Sequence, residues 1–316
     1  MALATERTKL EVSSVITDME KEAKRFAVVT GANKGIGFGI CKQLASNGVI
    51  VVLTARDERK GLEAVQKMKE FGLSDHVIFH QLDVANPASI ASLEHFIQTQ
   101  FGKLDILVNN AGIPGAVVDG DALAAAIGKT HEGVQVDWTA IGLTQTYELA
   151  EEGVKTNYYG AKRMTQAFIN LLQLSDSPRI VYVSASIGKL QHIPNEWAKG
   201  VLSDIESLTE EKLDEVLNEY LKDFSEGSLD TKGWPDYMSA YIISKAASNA
   251  YTRMVATKYP SFCINCVCPG YVKTDINYNT GFLSIEEGAA SPVRLVLLPN
   301  GGPSGFFFNR NELSTF

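Results

Sequence analysis

The sequence has no long hydrophobic run and no excess of positive charge. No window comes near the roughly 18 apolar residues that a membrane-spanning helix needs. Lysine and arginine number 29 against 37 aspartates and glutamates, which gives a formal net charge of -8, and the basic residues form no cluster. This balance argues against nucleic acid and against an anionic membrane as partners.

Cysteine is scarce, with four in 316 residues, and three of these lie close together at Cys263, Cys266 and Cys268. A metal site at this C-x-x-C spacing would need further ligands, and none of the five histidines is near in sequence. The run has the composition of a buried strand, in which a free cysteine acts as a small hydrophobe. We expect no metal and a reduced, cytoplasmic chain.

The composition, 45% hydrophobic, is sufficient for a sizeable core. Residues 1–24 are mixed and charged without an apolar centre, so we expect a mobile N-terminal extension rather than a secretory signal. Over residues 25–316, short apolar runs alternate with helical patterns. That order predicts one α/β domain, a Rossmann-type doubly wound parallel sheet with helices on both faces. The predicted strands are residues 26–29, 49–54, 77–84, 104–109, 179–186 and 264–267.

The first predicted strand leads into a glycine-rich turn with Gly31, Gly35 and Gly37, and a helical period follows. Strand, glycine turn and helix form the geometry that a dinucleotide requires. The glycines let the backbone approach the pyrophosphate, and the helix start presents unpaired N–H groups to it. A glycine pattern alone is a weak signal, and a plain strand-to-helix turn is the competing interpretation.

The end of the second predicted strand indicates which dinucleotide is bound. An acidic residue there would bind a ribose 2′-hydroxyl, whereas a basic residue fits a 2′-phosphate. Arg56 occupies this position, Lys34 in the glycine turn can reach it, and Lys60 would add a third cation. The sequence therefore predicts NADP(H) as the cofactor.

Tyr241 and Lys245 stand four residues apart within a helical pattern over residues 239–259. Residues at i and i+4 share a helix face, so the phenol and the ammonium are neighbours. The ammonium would favour the phenolate and lower the pKa of the phenol towards a value useful in acid–base catalysis. The spacing is common by chance and gains weight only from its place after a strand that ends in hydroxyls at Ser184 and Ser186.

A long insertion, residues 191–238, precedes this helix. It contains an amphipathic helix, with Ser207 and Glu210 as a capping box at its start. A lid, a cover over an oligomer face and a simple packed surface helix are all compatible with it. The apolar face of that helix consists of Leu213, Val216, Leu217, Tyr220, Leu221 and Phe224. Residues 113–148 form either a wall of the substrate pocket or a surface insertion, and residues 277–287 form a second flap.

Taken in order, these motifs resemble those of the short-chain dehydrogenase/reductases, from Phe26 to the C-terminus. Asn109-Asn110-Ala111-Gly112 after a buried strand is far more specific than the glycine turn. The insertion and the segment Gly-Pro-Ser-Gly-Phe-Phe, residues 302–307, resemble the monomeric plant branch that reduces terpenoid and alkaloid ketones. The resemblance implies a monomer.

The resemblance also implies the site. Tyr241 would donate a proton to a carbonyl oxygen, Lys245 would hold the nicotinamide ribose, and Asn157 would position a relay water. The cofactor-binding residues implied in this way are Gly31, Asn33, Lys34, Gly35, Ile36, Gly37, Arg56, Lys60, Asp83, Val84, Asn110, Ala111, Gly112, Tyr241, Lys245, Pro269, Gly270, Val272 and Thr274.

One position departs from the family pattern. The serine that polarises the substrate carbonyl would be the second of a Ser-Ser pair, and Ala185 stands at this place between Ser184 and Ser186. Either one hydrogen bond is missing, at a cost of roughly a hundredfold or more in rate, or Ser186 serves instead. Ser186 is therefore the candidate serine.

The sequence favours an NADPH-dependent reductase of a small hydrophobic cyclic ketone. One alternative is reduction of a C=C bond conjugated to a ketone, but the enone-reducing relatives lack the usual tyrosine, so Tyr241 favours the carbonyl. A second alternative is a weakly catalytic NADPH-binding protein, and Ala185 is the feature that supports it.

Overall fold

One eight-stranded sheet organises the protein, as seen in a computed structural model that describes residues 24–130 and 141–316. Its strands stand in the order β3-β2-β1-β4-β5-β6-β7-β8, and all neighbours are parallel except β7 and β8. The doubly wound parallel sheet is confirmed. The strands are β1 Phe26–Val29, β2 Ile50–Ala55, β3 Val77–Gln81, β4 Ile106–Asn109, β5 Arg179–Val183, β6 Cys263–Cys268, β7 Phe307–Asn309 and β8 Glu312–Ser314.

Helices cover both faces of this sheet and enclose two apolar cores. Side chains alternate along each strand, so Tyr182 of β5 joins the core under α3, α6 and α9, while its neighbour Val181 joins the core under α1, α2 and α10. The helices are α1 Gly35–Ser46, α2 Glu58–Glu70, α3 Pro87–Phe101, α4 Gly120–Thr130, α5 Tyr147–Val154, α6 Ala161–Leu172, α7 Glu196–Ser203, α8 Glu210–Ser225, α9 Ser239–Lys258 and α10 Ile285–Val296.

The strand order places the site. β1 lies between β2 and β4, so the chain reverses its direction of winding between β1 and β4. In such sheets a crevice opens at this point outside the carboxyl ends of the strands. The glycine turn follows β1 and Asn110 follows β4, so both motifs border that crevice.

Two elements near the C-terminus were not predicted. The strands β7 and β8 have only three residues each, which is too short for an alternating pattern to be recognised. The predicted flap over residues 277–287 is wrong in its last part, because α10 begins at Ile285. Ser284 accepts a hydrogen bond from the Glu287 amide, and the Glu287 side chain accepts one from the Ser284 amide. That capping box was readable in the sequence.

The starts of two other helices also differ from the prediction. Thr209, not Ser207, caps α8 by accepting from the Lys212 amide, whereas the Ser207 hydroxyl donates to Asp204. The helix that contains Asn157 begins at Tyr147, where Thr146 is the cap, and a π-helical turn, Lys155–Gly160, joins α5 to α6. A sequence pattern places the first residue of a helix poorly. At α8, Asp204 engages the Ser207 hydroxyl and leaves the Thr209 hydroxyl free to cap the helix.

The insertion is a packed layer. The apolar face of α8 is buried against α5 and α9. Lys162 of α6, itself nearly buried, forms ion pairs with Asp214 at 2.9 Å and Glu210 at 3.3 Å on α8. The amphipathic helix is confirmed. These contacts favour the interpretation that α8 covers α5 and α9 over the interpretation that it is a lid.

The structure also bears on the expectations for the cysteines, for membrane spans, for the N-terminal extension and for the pocket wall. All four cysteines are free and buried, and Cys263, Cys266 and Cys268 lie on β6 as the buried-strand interpretation requires. No helix in the described ranges is long and apolar enough to cross a membrane. The predicted N-terminal extension, Lys24 excepted, lies outside the described residues, as do residues 131–140 of the predicted pocket wall.

Candidate active site

The turn after β1 is built for close backbone approach. Gly31 and Gly35 have φ of +63° and +58°, which other residues rarely adopt. A Cβ at Gly31 would lie 3.0 Å from Ala111 Cα, and one at Gly37 would lie 2.5 Å from the Asn110 side-chain nitrogen. The glycines therefore let the β1 turn and the β4 turn touch, and no side chain of theirs fills the crevice.

Thr30, which sequence reasoning passed over, joins these two turns. Its hydroxyl oxygen accepts hydrogen bonds of 2.9 Å from the amides of Asn110 and Ala111. The Asn110 side chain donates in turn to the carbonyls of Thr30, at 2.8 Å, and Gly31, at 3.1 Å. Asn110 thus braces the glycine turn from behind.

The start of α1 fits a bound anion. Among the described residues, Lys34, at its N-cap, provides no side-chain cap to the helix, and the first turn holds no acidic residue. The N–H groups of a first helical turn lack intrahelical partners and carry a partial positive charge. The predicted Asn33 and Ile36 are half-buried beside this helix start. Open glycine turn and uncapped helix together match the pyrophosphate of a dinucleotide.

Asp83 and Val84 follow β3 at the same edge of the sheet. The Asp83 carboxylate accepts from the Ala85 amide at 2.9 Å, which holds the turn, and the side chain remains half-buried. Val84 is buried against the π-helical turn, where a Cβ at Gly160 would lie 2.7 Å from it. Val84 therefore positions the backbone near Asn157.

The segment after β6 lies across the glycine turn. It begins at Pro269, and Gly270 has φ of +87°. Thr274 caps the short helical turn Asp275–Asn277, and its methyl group would be 3.4 Å from a Cβ at Gly35. The Asn277 side chain donates to the Val272 carbonyl at 2.9 Å. Thr274 therefore lies beside Gly35, and Asn277 joins Val272 to the same segment; their part in cofactor binding stays a prediction.

The catalytic candidates meet at one place. Lys245 donates from Nζ to the Val183 carbonyl at 2.8 Å, and Nζ lies 5.6 Å from the centre of the Tyr241 ring. A Cβ at Gly112 would lie 3.2 Å from Asn157 Oδ1 and 3.4 Å from Lys245 Nζ. Tyr241, Lys245, Asn157 and Gly112 therefore surround one small space at the ends of β4 and β5.

Asn157 is buried, although a polar residue within a helix usually faces solvent. Its Oδ1 accepts from the Ile113 amide at 2.8 Å, and its Nδ2 donates to the Ile113 carbonyl and to the Ser244 hydroxyl at 3.0 Å. The π-helical turn around it is of a kind that often marks functional sites. Ser244, within the Tyr241–Lys245 spacing, is a second residue that the sequence analysis missed.

Burial controls the titration of the pair. It lowers the pKa of Lys245 to about 8. It also raises the pKa of Tyr241 above the ordinary value for a phenol, with a smaller contribution from Cys268 in its charged form. The expected lowering of the Tyr241 pKa by Lys245 is not what the structure shows, because desolvation dominates and the ammonium hydrogen bonds with Val183.

The lowered pKa of Lys245 predicts a pH effect. The ammonium loses its proton as the pH rises through about 8, and with it the charge that would hold the ribose and favour the phenolate. We expect kcat/KM for the cofactor, which reports groups of the free enzyme, to fall as the pH rises through that value. The measurement is a pH–rate profile in overlapping buffers.

The variant Cys268→Ala serves as the control, because the Cys268 side chain interacts with both Tyr241 and Lys245. It should keep the falling limb, because Cys268 adjoins the pair without holding the charge in question. A profile that stays level to about pH 10, the ordinary range for lysine, would contradict the prediction.

The three residues at the end of β5, among which the carbonyl-polarising serine was sought, have different surroundings. The Ser184 hydroxyl donates to Asn249 Oδ1 at 2.6 Å and is buried. Ala185 has extended backbone, and Ser186 starts a short 3-10 turn in which its hydroxyl donates to Asn309 of β7 at 3.4 Å. Ser184 is therefore occupied by α9, and Ser186 turns towards β7. The role of Ser186 stays a prediction.

The predicted cations are exposed and paired separately. Lys34 contacts Asp275 at 2.6 Å and Arg56 contacts Glu152 at 3.7 Å, with 65% of each basic side chain exposed. Such pairs contribute little and exchange readily for another anion. Lys60 lies in the first turn of α2, where its amide donates to the cap residue Asp57. The structure records no contact between Lys34 and Arg56.

Comparison with known proteins agrees with this geometry. A model of the family described as short chain dehydrogenase matches residues 25–196. The chain belongs to this family. Short-chain dehydrogenases use nicotinamide cofactors, and the protein is an oxidoreductase acting on CH–OH or C=O groups.

Two individual relatives and one solved structure are similar to this chain over most of its length. The chain is 61% identical to (+)-neomenthol dehydrogenase of Arabidopsis thaliana over 94% of its own length and all of that protein. It is 51% identical to (-)-isopiperitenone reductase of Mentha piperita, covering 92% of this chain and 98% of that one. The solved structure of salutaridine reductase from Papaver somniferum is 53% identical, with a TM-score of 0.85 over 90% of this chain and 99% of that one.

Proposed function

We propose that this protein is an NADPH-dependent reductase that converts a hydrophobic cyclic ketone, of monoterpenoid or alkaloid type, into a secondary alcohol. The observation that carries the proposal is the meeting of Tyr241, Lys245 and Asn157 beside Gly112, at the edge of a dinucleotide crevice. When bound, the nicotinamide supplies the hydride.

The chain itself supplies the proton and its pathway. Tyr241 donates its hydroxyl proton to the carbonyl oxygen of the ketone. Lys245, fixed by the Val183 carbonyl, is positioned to stabilise the phenolate that remains and to hold the ribose. Asn157 is fixed at both side-chain ends by Ile113 and Ser244, and its main-chain carbonyl, which accepts a long 3.4 Å hydrogen bond from the Ser248 hydroxyl, has a second lone pair for a relay water. Each donor is preorganised, which is how such sites stabilise developing charge.

The 2′-phosphate of NADPH would meet basic side chains at the end of β2 and at the start of α1. Arg56 directly follows β2, and Lys34 stands at the start of α1. Their present partners, Glu152 and Asp275, form exposed ion pairs, and Asp57, next to Arg56 in the chain, accepts from the Lys60 amide to cap α2. A ribose hydroxyl would lack the acidic partner that NAD-binding sites provide, so these residues support NADP(H).

The variants Arg56→Ala and Lys34→Ala test this preference. Each is expected to weaken NADPH binding by about ten- to a hundredfold, since a hydrogen bond to a charged group contributes about 1.5–3 kcal/mol. Neither should weaken NADH binding, which offers no 2′-phosphate. Fluorescence titration with both cofactors gives the two dissociation constants.

Arg59→Ala is the matched control. Arg59 lies three residues from Arg56, is 76% exposed and pairs with Glu63 on its own helix. Its removal should leave both constants unchanged. Equal weakening of NADPH and NADH by Arg56→Ala would contradict the phosphate role.

Apolar side chains around the crevice support a hydrophobic substrate. Ile276, Tyr278 and Phe282 are 41–57% exposed in the segment after Thr274, and Val117 is 48% exposed in the loop after β4. The two segments touch, because a Cβ at Gly120 would lie 2.6 Å from the Tyr278 ring. Grouped exposed apolar residues often mark a ligand-binding site. The names of the relatives point to cyclic terpenoid and alkaloid ketones.

Reduction of a conjugated C=C bond is the second candidate. It is favoured by one relative, 51% identical, that is named an isopiperitenone reductase. Tyr241 favours the carbonyl, since a proton donor already stands at the site. A weakly catalytic NADPH-binding protein is the third candidate.

The deciding experiment follows cofactor consumption with menthone-like ketones and an isopiperitenone-like enone. NADPH and NADH are compared, and products are identified by mass spectrometry. A secondary alcohol formed with NADPH supports the proposal. A saturated ketone establishes the second candidate, and tight NADPH binding without turnover establishes the third.

We also propose that the protein is a single-domain monomer of the cytoplasm. The insertion helix α8 covers α5 and α9. One sheet contains both β1, near the start of the described chain, and β8, near its end. A scattering mass that matches a dimer would contradict the monomer.

A further inference from the structure

The first turn of α9 carries Tyr241 but has no capping side chain of its own. Met238, at the N-cap, has φ of +46°, where residues other than glycine are uncommon, and among the described residues it gives no side-chain cap. First-turn N–H groups lack intrahelical partners, and helix ends fray most easily. Tyr241 is the third residue of α9, so its position depends on what holds this turn.

Gln145 holds it from outside the helix. Its Oε1 accepts from the Ser239 amide at 2.7 Å and from the Ser239 hydroxyl at 2.9 Å, and the two residues are 94 positions apart. Its Nε2 donates to the Asp236 carbonyl at 3.1 Å. One end of the amide must accept and the other must donate, so these contacts fix its orientation.

Tyr220 of the insertion completes the arrangement. Its hydroxyl lies 2.7 Å from the Ser239 hydroxyl, and both side chains are buried. Ser239 gives its only hydroxyl proton to Gln145, so Tyr220 is the donor to Ser239. The loop before α5, the insertion and the catalytic helix therefore converge on Ser239.

We propose that Gln145 is a positioning residue for proton donation by Tyr241, with Tyr220 as its brace. It acts by fixing the first turn of α9. Ser244 and Lys245, which lie in the next turn, are held separately, Ser244 by a hydrogen bond from Asn157 and Lys245 by its hydrogen bond to the Val183 carbonyl. A displacement of about 1 Å at a reacting group can cost about a hundredfold in rate. The inference rests on the proposed carbonyl reduction.

The test compares Gln145→Ala with Gln145→Glu. The alanine variant loses every contact with Ser239 and is expected to lower kcat by about ten- to a hundredfold, with little change in NADPH affinity. The glutamate variant keeps an oxygen that accepts from Ser239, replaces the donor to Asp236 with a second acceptor, and adds a charge at an exposed contact where water can solvate it. It should retain most of the kcat.

Thr209→Ala is the control for a merely structural effect. It removes the cap of α8, whose hydrogen bond goes to the Lys212 amide of α8 itself, and should lower the urea midpoint without lowering kcat. Amide hydrogen exchange over residues 239–243 is measured in the same proteins. Exchange there should become faster in Gln145→Ala and should not change in Thr209→Ala.

The outcomes separate this inference from the proposed function. If the wild-type protein reduces a ketone, an unchanged kcat in Gln145→Ala, or equal losses in the alanine and glutamate variants, overturns the inference. If the wild-type protein reduces no ketone, the proposed function fails. Hydrogen exchange then decides, and unchanged exchange at the start of α9 in Gln145→Ala overturns the positioning role.

Discussion

Tyr241→Phe is expected to lower kcat for ketone reduction by about a hundred- to ten-thousandfold, the range in which a positioned general acid contributes. The substitution keeps the aromatic ring 5.6 Å from Lys245 Nζ and removes only the hydroxyl that donates the proton. The affinity for NADPH should be unchanged. Steady-state kinetics with a ketone substrate and a cofactor titration measure the two quantities.

Tyr182→Phe provides the matched control. It removes a buried phenol hydroxyl from β5, which lies 2.6 Å from the Thr165 hydroxyl, away from the reacting groups. This variant should lose stability and keep its kcat per folded molecule. If Tyr241→Phe retained the wild-type kcat, Tyr241 would not be the proton donor, and reduction of a C=C bond would become the better reading of the site.

Ala185→Ser is expected to raise kcat for a ketone, by about a hundredfold, the effect found for one oxyanion-type donor. Position 185 is half-buried with extended backbone between Ser184, which is committed to Asn249, and Ser186, which faces Asn309. A hydroxyl there would add the hydrogen bond to the carbonyl that the family pattern includes. The affinity for NADPH should not change, since the gain arises as charge develops on the substrate.

The variant Ser186→Ala tests the alternative, that Ser186 already polarises the carbonyl. If Ser186 is idle, its removal leaves kcat unchanged while Ala185→Ser raises it. If Ser186 already polarises the carbonyl, its removal lowers kcat by a similar factor and Ala185→Ser brings little. The second result would contradict the missing-serine interpretation and confirm Ser186 as the candidate from the sequence.

Short-range patterns explain why much of the site could be predicted. Gly31 and Gly35 have the positive φ values that a glycine-rich turn implies, and Tyr241 and Lys245 share a face because helix geometry requires it at a spacing of four. The strand-then-helix order also determined the doubly wound sheet. Three-residue strands such as β7 carry too few residues for a pattern, and the capping box at Ser284 was overlooked.

Contacts between distant residues explain what could not be predicted. The burial of Asn157 depends on the π-helical turn and on Ile113, and the direction of the Tyr241 pKa depends on desolvation rather than on the neighbouring lysine. The sequence placed Lys34 and Arg56 near one phosphate, whereas their present partners, Asp275 and Glu152, come from separate segments.

The sequence by itself determined the family, the parallel sheet, the glycine turn and the Tyr241–Lys245 pair, because each follows from residues a few positions apart. Only the tertiary structure decided which hydroxyls at the end of β5 are already engaged and which groups hold Lys245. It also decided that Gln145 holds the start of α9. Those outcomes depend on hydrogen bonds between segments up to 94 residues apart, which only the packed fold brings within 3 Å.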